Sequence, residues 1–280
     1  MNRRLTLLLL LCQFLLPACT RRTTPVVVGS KNFTESVILG ELVAQKLESA
    51  GCTVERRLNM GGTFVCDAAM TAGSLDAYVE YSGTALTAIL KQQVPADRDS
   101  VDRLVAAAYA RRTLHWGPNL GFNNTFAMIV RKDDAQRSGL HSISDLRKVE
   151  SQLQPGFGYE FVERPDGWNG LTTRYGLHFA KPPKTMDLGL TYKALASNQI
   201  DLIAGNSTDG LIDSLGLAAL ADDLRYFPPY QAAVVTRNDI DTKCKGASAA
   251  LASLANSLDD AAMRRLNFAV DGEKKDVADV

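Results

Sequence analysis

The sequence predicts an α/β fold in two units, each a mainly parallel sheet flanked by helices. Three observations carry that expectation. Strand-like apolar runs alternate with helical patterns across short loops, the rhythm that βαβ units produce. Several strands end in polar turns that open directly into helices. A Gly/Pro/Asn-rich segment, Trp116 to Phe126, then separates one such series from a second.

The first unit opens at Val26. Val26, Val27 and Val28 form a short β-branched run, suited to a buried strand. Gly29 permits a sharp exit. Asn32 or Thr34 is expected to cap the following helix, whose apolar positions Ile38, Leu39, Leu42, Val43 and Leu47 share a face. Such a strand-to-helix turn points free N–H groups at one spot and favours an anion there; Lys31 adds a positive charge beside it.

Thr53 to Leu58 reads as the second strand, Met60 to Thr63 as a loop and Phe64 to Met70 as a helix ended by Gly73. Asp76 to Tyr81 alternates as a strand. Ser82, Gly83 and Thr84 turn out of it into a helix over Ala85 to Leu90. Ligands of open α/β sheets sit where strands end and helices begin, and Lys31, Tyr81 and Thr84 fall at such ends. Pro95 to Ser100 reads as a polar loop. Val101 to Leu114 reads as a helix with Leu104, Val105 and Ala108 on one side, and Trp116 to Phe126 as a loop-rich crossover.

The second unit starts with a strand at Ala127 to Val130. Ser142 to Leu146 opens a helix, Phe157 to Val162 reads as a strand, and Arg164 to Gly167 as a turn before helical Leu171 to Tyr175. Tyr192 to Ala196 is helical. Ile200 to Ala204 is a strand whose end, Gly205 to Gly210, opens a helix at Leu211. Arg225 to Tyr230 leads back through Ala232 to Thr236 toward the first unit, and Leu251 to Phe268 supplies closing helices. The chain reaches Val280 without a clear terminating signal, which leaves truncation of the C-terminus open.

Ahead of the first strand, Arg3 and Arg4 precede an almost unbroken apolar run from Leu5 to Leu16. The run is shorter than the roughly 20 residues a bilayer span needs and suits a signal-peptide core. Leu16-Pro17-Ala18-Cys19 resembles the lipobox of bacterial lipoproteins, in which the cysteine becomes the lipidated first residue. Residues 1–18 are therefore expected to be a signal peptide and 19–25 a tether anchored through Cys19; the alternative is plain cleavage near Ala18.

Composition narrows the function. The chain has 280 residues, with 31 basic and 31 acidic side chains. That balance, with no basic stripe, argues against a nucleic-acid partner. Cys52, Cys66 and Cys244 have neither zinc-site nor redox-pair spacing; each reads as a small buried residue, and a disulfide between two of them stays open. His115, His141 and His178 are scattered, so neither metal nor cofactor is expected. Ser82 and Ser207 lack a histidine partner, and no catalytic residues are assigned.

The segments Gly29-Ser30-Lys31-Asn32-Phe33-Thr34-Glu35, Tyr81-Ser82-Gly83-Thr84, Gly121-Phe122-Asn123-Asn124-Thr125 and Phe227-Pro228-Pro229-Tyr230 resemble the solute-binding proteins of glycine betaine/choline-type osmoprotectant ABC importers, over essentially the whole mature chain. The resemblance implies a two-lobed type II periplasmic-binding-protein fold, with residues 26–123 plus 231–280 as lobe 1 and 124–230 as lobe 2. It implies a cage of aromatic rings around a quaternary ammonium, and basic and hydroxyl groups on its carboxylate. Tyr81 and Tyr230 match cage tyrosines, Lys31 and Thr84 match carboxylate binders, and Arg164 matches the arginine of the second lobe. Phe126 and Asn206 stand where relatives often have tyrosine; Tyr192, Tyr226 or Trp168 could fill the gap at 206. Aromatic faces suit a trimethylammonium, each contributing about 0.5–2 kcal/mol, and a carboxylate suits Arg, Lys and hydroxyl donors.

The expected function is an extracytoplasmic, lipid-anchored binding protein that captures glycine betaine or a related betaine. Its partners would be the solute, an ABC permease with its ATPase, and the membrane through the N-terminal lipid. Choline, carnitine and ergothioneine are the alternative solutes; choline has no carboxylate and would leave Arg164 and Lys31 idle. A sensor domain or an enzyme on the same fold are rival classes. No second apolar span supports the former and no nucleophile–base pair the latter.

Overall fold

The computed structural model describes residues 24–95 and 97–280; the signal-peptide and Cys19 assignments lie outside the described residues. β1 (Val26–Gly29) leads into α1 (Thr34–Ser49), β2 (Val54–Arg57), α2 (Thr63–Thr71) and β3 (Ala77–Tyr81). A helical segment follows without a break, one turn as α3 (Ser82–Thr84) and then π-helical over Ala85–Ile89. Next come α4 (Val101–Ala110), β4 (Leu114–Asn123), β5 (Phe126–Arg131), α5 (Lys132–Ser138), a 3-10 segment at Ile143–Lys148, β6 (Gly156–Gly158), α6 (Tyr159–Glu163) and α7 (Trp168–Tyr175). β7 (Lys184–Met186), α8 (Leu188–Ala196), β8 (Ile203–Asn206), α9 (Leu211–Ser214), β9 (Leu217–Leu220) and β10 (Gln231–Arg237) precede the closing helices α10 (Ile240–Lys243), α11 (Ala247–Ala252) and α12 (Asp260–Asp271).

The strands form a five-stranded sheet in the order β2-β1-β3-β10-β4, a three-stranded sheet β8-β5-β9 and a β6-β7 pair. The five-stranded sheet is mixed and the three-stranded one antiparallel, which corrects the mainly parallel expectation. β1 pairs in parallel with β2 and β3, and β6 with β7. β10 runs antiparallel to both β3 and β4, and β5 antiparallel to β8 and β9. The reason lies in the return of the chain: β10 enters the first sheet from the second and so points against its neighbours. α1, α11 and α12 pack together on one face of the first sheet, and Tyr78, Tyr109 and Trp116 fill the other. The other face of β5 and β8 is covered by α8 through Leu195 and Ala194.

Several local expectations change. Trp116–Phe126 is mostly strand, and the helix expected to reach Leu114 ends at Ala110. Leu104 is 41% exposed; Val101, Val105, Ala108 and Tyr109 form the buried face instead. Ser82–Thr84 is helical and not a separate turn. The strand expected over Phe157–Val162 stops at Gly158, which caps α6. Neither Asn32 nor Thr34 caps α1: Phe33 is its extended N-cap residue, and Thr34 Oγ1 donates to Asp271 of α12 at 2.6 Å. Cys52 and Cys244 form a disulfide across 192 residues of sequence, while Cys66 is buried and free.

Candidate functional site

The turn after β1 is held from several sides before any ligand is considered. Asn32 N donates to Gly61 O at 3.0 Å and Met60 N to Ser30 O at 3.1 Å. Asn59 N donates to Ser30 Oγ, and Lys31 N to Ser36 Oγ at 2.8 Å. These bonds turn the Lys31 side chain inward, where it is 3% exposed. Its Nζ lies 2.5 Å from Glu80 Oε1, 3.4 Å from Thr63 Oγ1 and 4.7 Å from the centre of the Tyr81 ring. Glu80 is itself fully buried and accepts from Tyr81 N and Tyr78 Oη. Lys31 is thus one half of a buried ion pair and not a free cation awaiting an anion.

Tyr81 closes β3, and its hydroxyl donates to Glu35 Oε1 at 2.6 Å. Glu35 also accepts from Asn124 Nδ2 at 2.7 Å on the same oxygen, and from Thr208 Oγ1 at 2.6 Å and Asn267 Nδ2 at 3.0 Å on the other. One buried carboxylate therefore gathers β3, the β4–β5 link, the end of β8 and α12. Desolvation pushes its pKa up against the pull of these four bonds.

On the opposite wall, Arg164 follows α6 and is 5% exposed. Its Nε and Nη2 grip Asp166 in a fork at 2.9 and 2.6 Å, and Nη2 also donates to Thr84 Oγ1 at 3.1 Å. Burial alone would raise the Asp166 carboxyl pKa, but the Arg164 charge outweighs it and holds it below the usual range. Asp166 accepts further from Tyr230 Oη at 2.6 Å. Tyr230 is fixed at its backbone by Asn123 Oδ1 and packed against Gly83, where an added Cβ would lie 2.7 Å from Pro229 O and 2.8 Å from the Tyr230 ring. Phe126 lies between these groups, edge-on to Phe161 at 5.0 Å and to Tyr230 at 5.6 Å and 5.0 Å from the Arg164 guanidinium.

Lys31, Tyr81, Thr84, Phe126, Arg164, Asn206 and Tyr230 all line one cavity of about 240 Å³. Residues of both sheets and of the β6–α6 segment contribute to it. Sequence reasoning missed Phe33, Tyr159 and Phe161 as wall aromatics, and Asn124 and Glu160 as polar wall residues. Phe33 and Asn124 lay inside the motifs already singled out. Tyr159 to Phe161 were hidden by reading them as strand. Tyr192, Tyr226 and Trp168 do not line this cavity: each borders a different one, because Trp168 packs on Phe157 and Phe179 and Tyr226 donates to Pro165 O. Among the described residues no group of three or more metal-ligating side chains gathers, and no helix is long and apolar enough to cross a membrane.

A mixed sheet and an antiparallel sheet, both flanked by helices and meeting at an aromatic cavity closed by buried ion pairs, define an α/β protein of the periplasmic-binding type. Residues 24–280 match the model of the substrate-binding domain of ABC-type glycine betaine transport systems, and the chain belongs to that family. It is 34% identical over 273 residues to the ergothioneine transport permease/ergothioneine binding protein EgtU of Helicobacter pylori, covering 97% of this chain and 49% of that protein; the chain spans about half the length of that relative. It is 33% identical over 285 residues to a glycine-betaine-binding protein of Pseudomonas aeruginosa, covering 98% of this chain and 91% of the relative. Among solved structures, a glycine betaine/carnitine/choline ABC transporter protein superposes with a TM-score of 0.72 at 28% identity, over 90% of this chain and 94% of that one.

Proposed function

We propose that this protein is the extracytoplasmic binding component of an ABC importer, capturing a betaine-type quaternary-ammonium solute and delivering it to a membrane permease. The observation that carries this reading is the convergence of Tyr81, Tyr230, Phe126, Lys31, Arg164, Thr84 and Asn206 on one cavity. Aromatic faces suit a methylated ammonium, which cannot donate N–H bonds. Each cation in the wall already has a counter-ion, Glu80 for Lys31 and Asp166 for Arg164. A zwitterion adds no net charge to such a site, and its carboxylate finds the Thr84 hydroxyl proton and the Arg164 Nη1 edge. The family supports a binding role over catalysis.

We read residues 26–123 with 231–280, and 124–230, as two lobes that close on the solute in a hinge motion. Lobe 2 then supplies Arg164, Phe126, Asn206 and Tyr230, and lobe 1 supplies Lys31, Tyr81 and Thr84. Cys19 would carry the lipid that keeps the protein at the membrane. The test is a thermal-shift and calorimetric screen of the purified protein against glycine betaine, choline, carnitine, ergothioneine and amino acids. A methylated ammonium solute should raise the melting temperature, and Tyr81→Ala should weaken its binding by at least about tenfold. Unchanged affinity in that variant, or a response to amino acids alone, would remove the cage assignment.

A further inference from the structure

Glu80 stands behind the wall of the binding cavity and does not line it. By the alternation of β3 it shares a face with Tyr78, which packs with Tyr109 and Trp116, while Tyr81 faces the other side. It is fully buried. Its Oε1 accepts from Tyr81 N at 2.7 Å and from Lys31 Nζ at 2.5 Å, and its Oε2 from Tyr78 Oη at 3.3 Å. Lys31 does line the cavity, and its Nζ lies 4.7 Å from the centre of the Tyr81 ring and 5.9 Å from that of Phe33. An ammonium of the protein itself therefore already sits over two of the rings that suit a solute ammonium. Unpaired, it would repel that solute across a dry gap, where like charges act more strongly than in water. Arg164, the other buried cation of the wall, is paired with Asp166. The wall's own carboxylates reach solvent, Glu160 half-buried and Asp187 exposed, so water and salt screen them. Glu80 is dry and in contact, and its charge falls on Lys31 in full.

We infer that Glu80 is a positioning residue that sets the charge class of the solute: by cancelling the Lys31 charge beside the Tyr81 and Phe33 rings, it admits cations and zwitterions and turns away a carboxylate anion of the same shape. The inference rests on the reading of the cavity as a quaternary-ammonium site and explains how such a wall tolerates a lysine. Lys31 then supplies an N–H donor and aliphatic surface, with little net charge. Specificity of this kind comes from what the site repels as much as from what it attracts. Glu80→Gln removes the negative charge and keeps the shape, with an oxygen still able to accept from Tyr81 N and Lys31 Nζ. It converts the neutral wall into a cationic one.

The experiment is calorimetry on the purified protein at about pH 8, where carboxylates and lysines are charged. Its probes are glycine betaine, choline and the tert-butylacetate anion, in which carbon replaces the nitrogen of glycine betaine. The native protein should bind tert-butylacetate at least about tenfold more weakly than glycine betaine. Glu80→Gln should strengthen tert-butylacetate and weaken choline, each by at least about tenfold. Glycine betaine, which meets both the freed charge and its repulsion, should move less than either. A gain of binding for the anion is a readout that a merely structural role for Glu80 would not produce. Circular dichroism and melting temperature establish that the variant is folded. Where choline binds the native protein too weakly to read, the anion alone decides. If Glu80→Gln fails to fold, Lys31→Met decides: it leaves the buried carboxylate unpaired, so choline should bind at least about threefold more tightly although a wall residue is lost. Three results overturn the inference while glycine betaine still binds the native protein. The anion binds the native protein within about tenfold of glycine betaine; or the folded Glu80→Gln variant gains less for the anion than expected, or weakens every probe alike; or, in the fallback, Lys31→Met brings choline no such gain. If no methylated ammonium binds the native protein, the cavity's assignment falls, and this inference with it.

Discussion

Glu35 shows how one residue can hold a cavity wall without touching what the cavity holds. Its two oxygens take four hydrogen bonds from Tyr81, Asn124, Thr208 and Asn267. Removing an acceptor from buried donors costs more than the bonds themselves contributed, because the donors are left dry and unmatched. Glu35→Ala is therefore expected to lower stability by roughly 2–4 kcal/mol and to free the Tyr81 ring, weakening solute binding as well; urea unfolding and calorimetry check the two effects. Glu35 also sets a pH signature. Its folded pKa is raised above the ordinary 4.5 by desolvation, so the folded chain keeps a proton that the unfolded chain has released. Stability from this group therefore falls as pH climbs from about 4.5 toward the raised value, then levels. Urea midpoints measured across that window should lose this component in Glu35→Gln. The sequence displayed Glu35 inside a motif but gave no hint of its partners, which lie 46, 89, 173 and 232 residues away. The Lys31–Glu80 pair was hidden for the same reason. Arg164 and Asp166, two residues apart, were readable as a pair.

At the scale of elements, some of the strands and helix starts that form the site were legible because their signals are local, while the β6–α6 junction was not. β1, β3 and β10 have continuous apolar or alternating patterns, and the helix start at Leu211 follows a polar turn; α8 begins at Leu188, four residues before the expected Tyr192. β4 was not legible. Gly117, Pro118, Asn119 and Gly121 spell a loop, yet the segment is the edge strand of the first sheet, with irregular register against β10 between Gln231 and Val235. An edge strand with bulges tolerates a proline that a central strand would not. The segment just before β10 packs closely on α3. Gly83 leaves room for Pro229 O and the Tyr230 ring. Gly83→Ala should force Tyr230 outward, cost about 1–3 kcal/mol of stability and reduce affinity for the solute. A melting-temperature drop without any affinity loss would show that Tyr230 does not need this position.

At the scale of the whole molecule, the covalent link from Cys52 to Cys244 ties the end of α1 to the end of α10, closing a loop of 192 residues. Such a link stabilises chiefly by restricting the unfolded chain, typically by about 2–4 kcal/mol. Cys52→Ser with Cys244→Ser should lower the denaturant midpoint accordingly, with the solute still bound, because neither cysteine lines the cavity. Cys66 should stay unreactive toward thiol reagents until unfolding, since it is fully buried and burial pushes its thiol up to about 12.

The place of β10 between β3 and β4 has a bearing on biogenesis. Gln231, the first residue of β10, is 150 positions beyond Tyr81, the last of β3. At a ribosome pace of about 5–20 residues per second, β3 would wait roughly 8–30 s for its neighbour. During that interval one flank of a Val- and Tyr-rich strand has no backbone partner, the condition under which nascent polypeptides stick to one another. Completion of the first sheet therefore waits on the last third of the chain, however early its first strands are made.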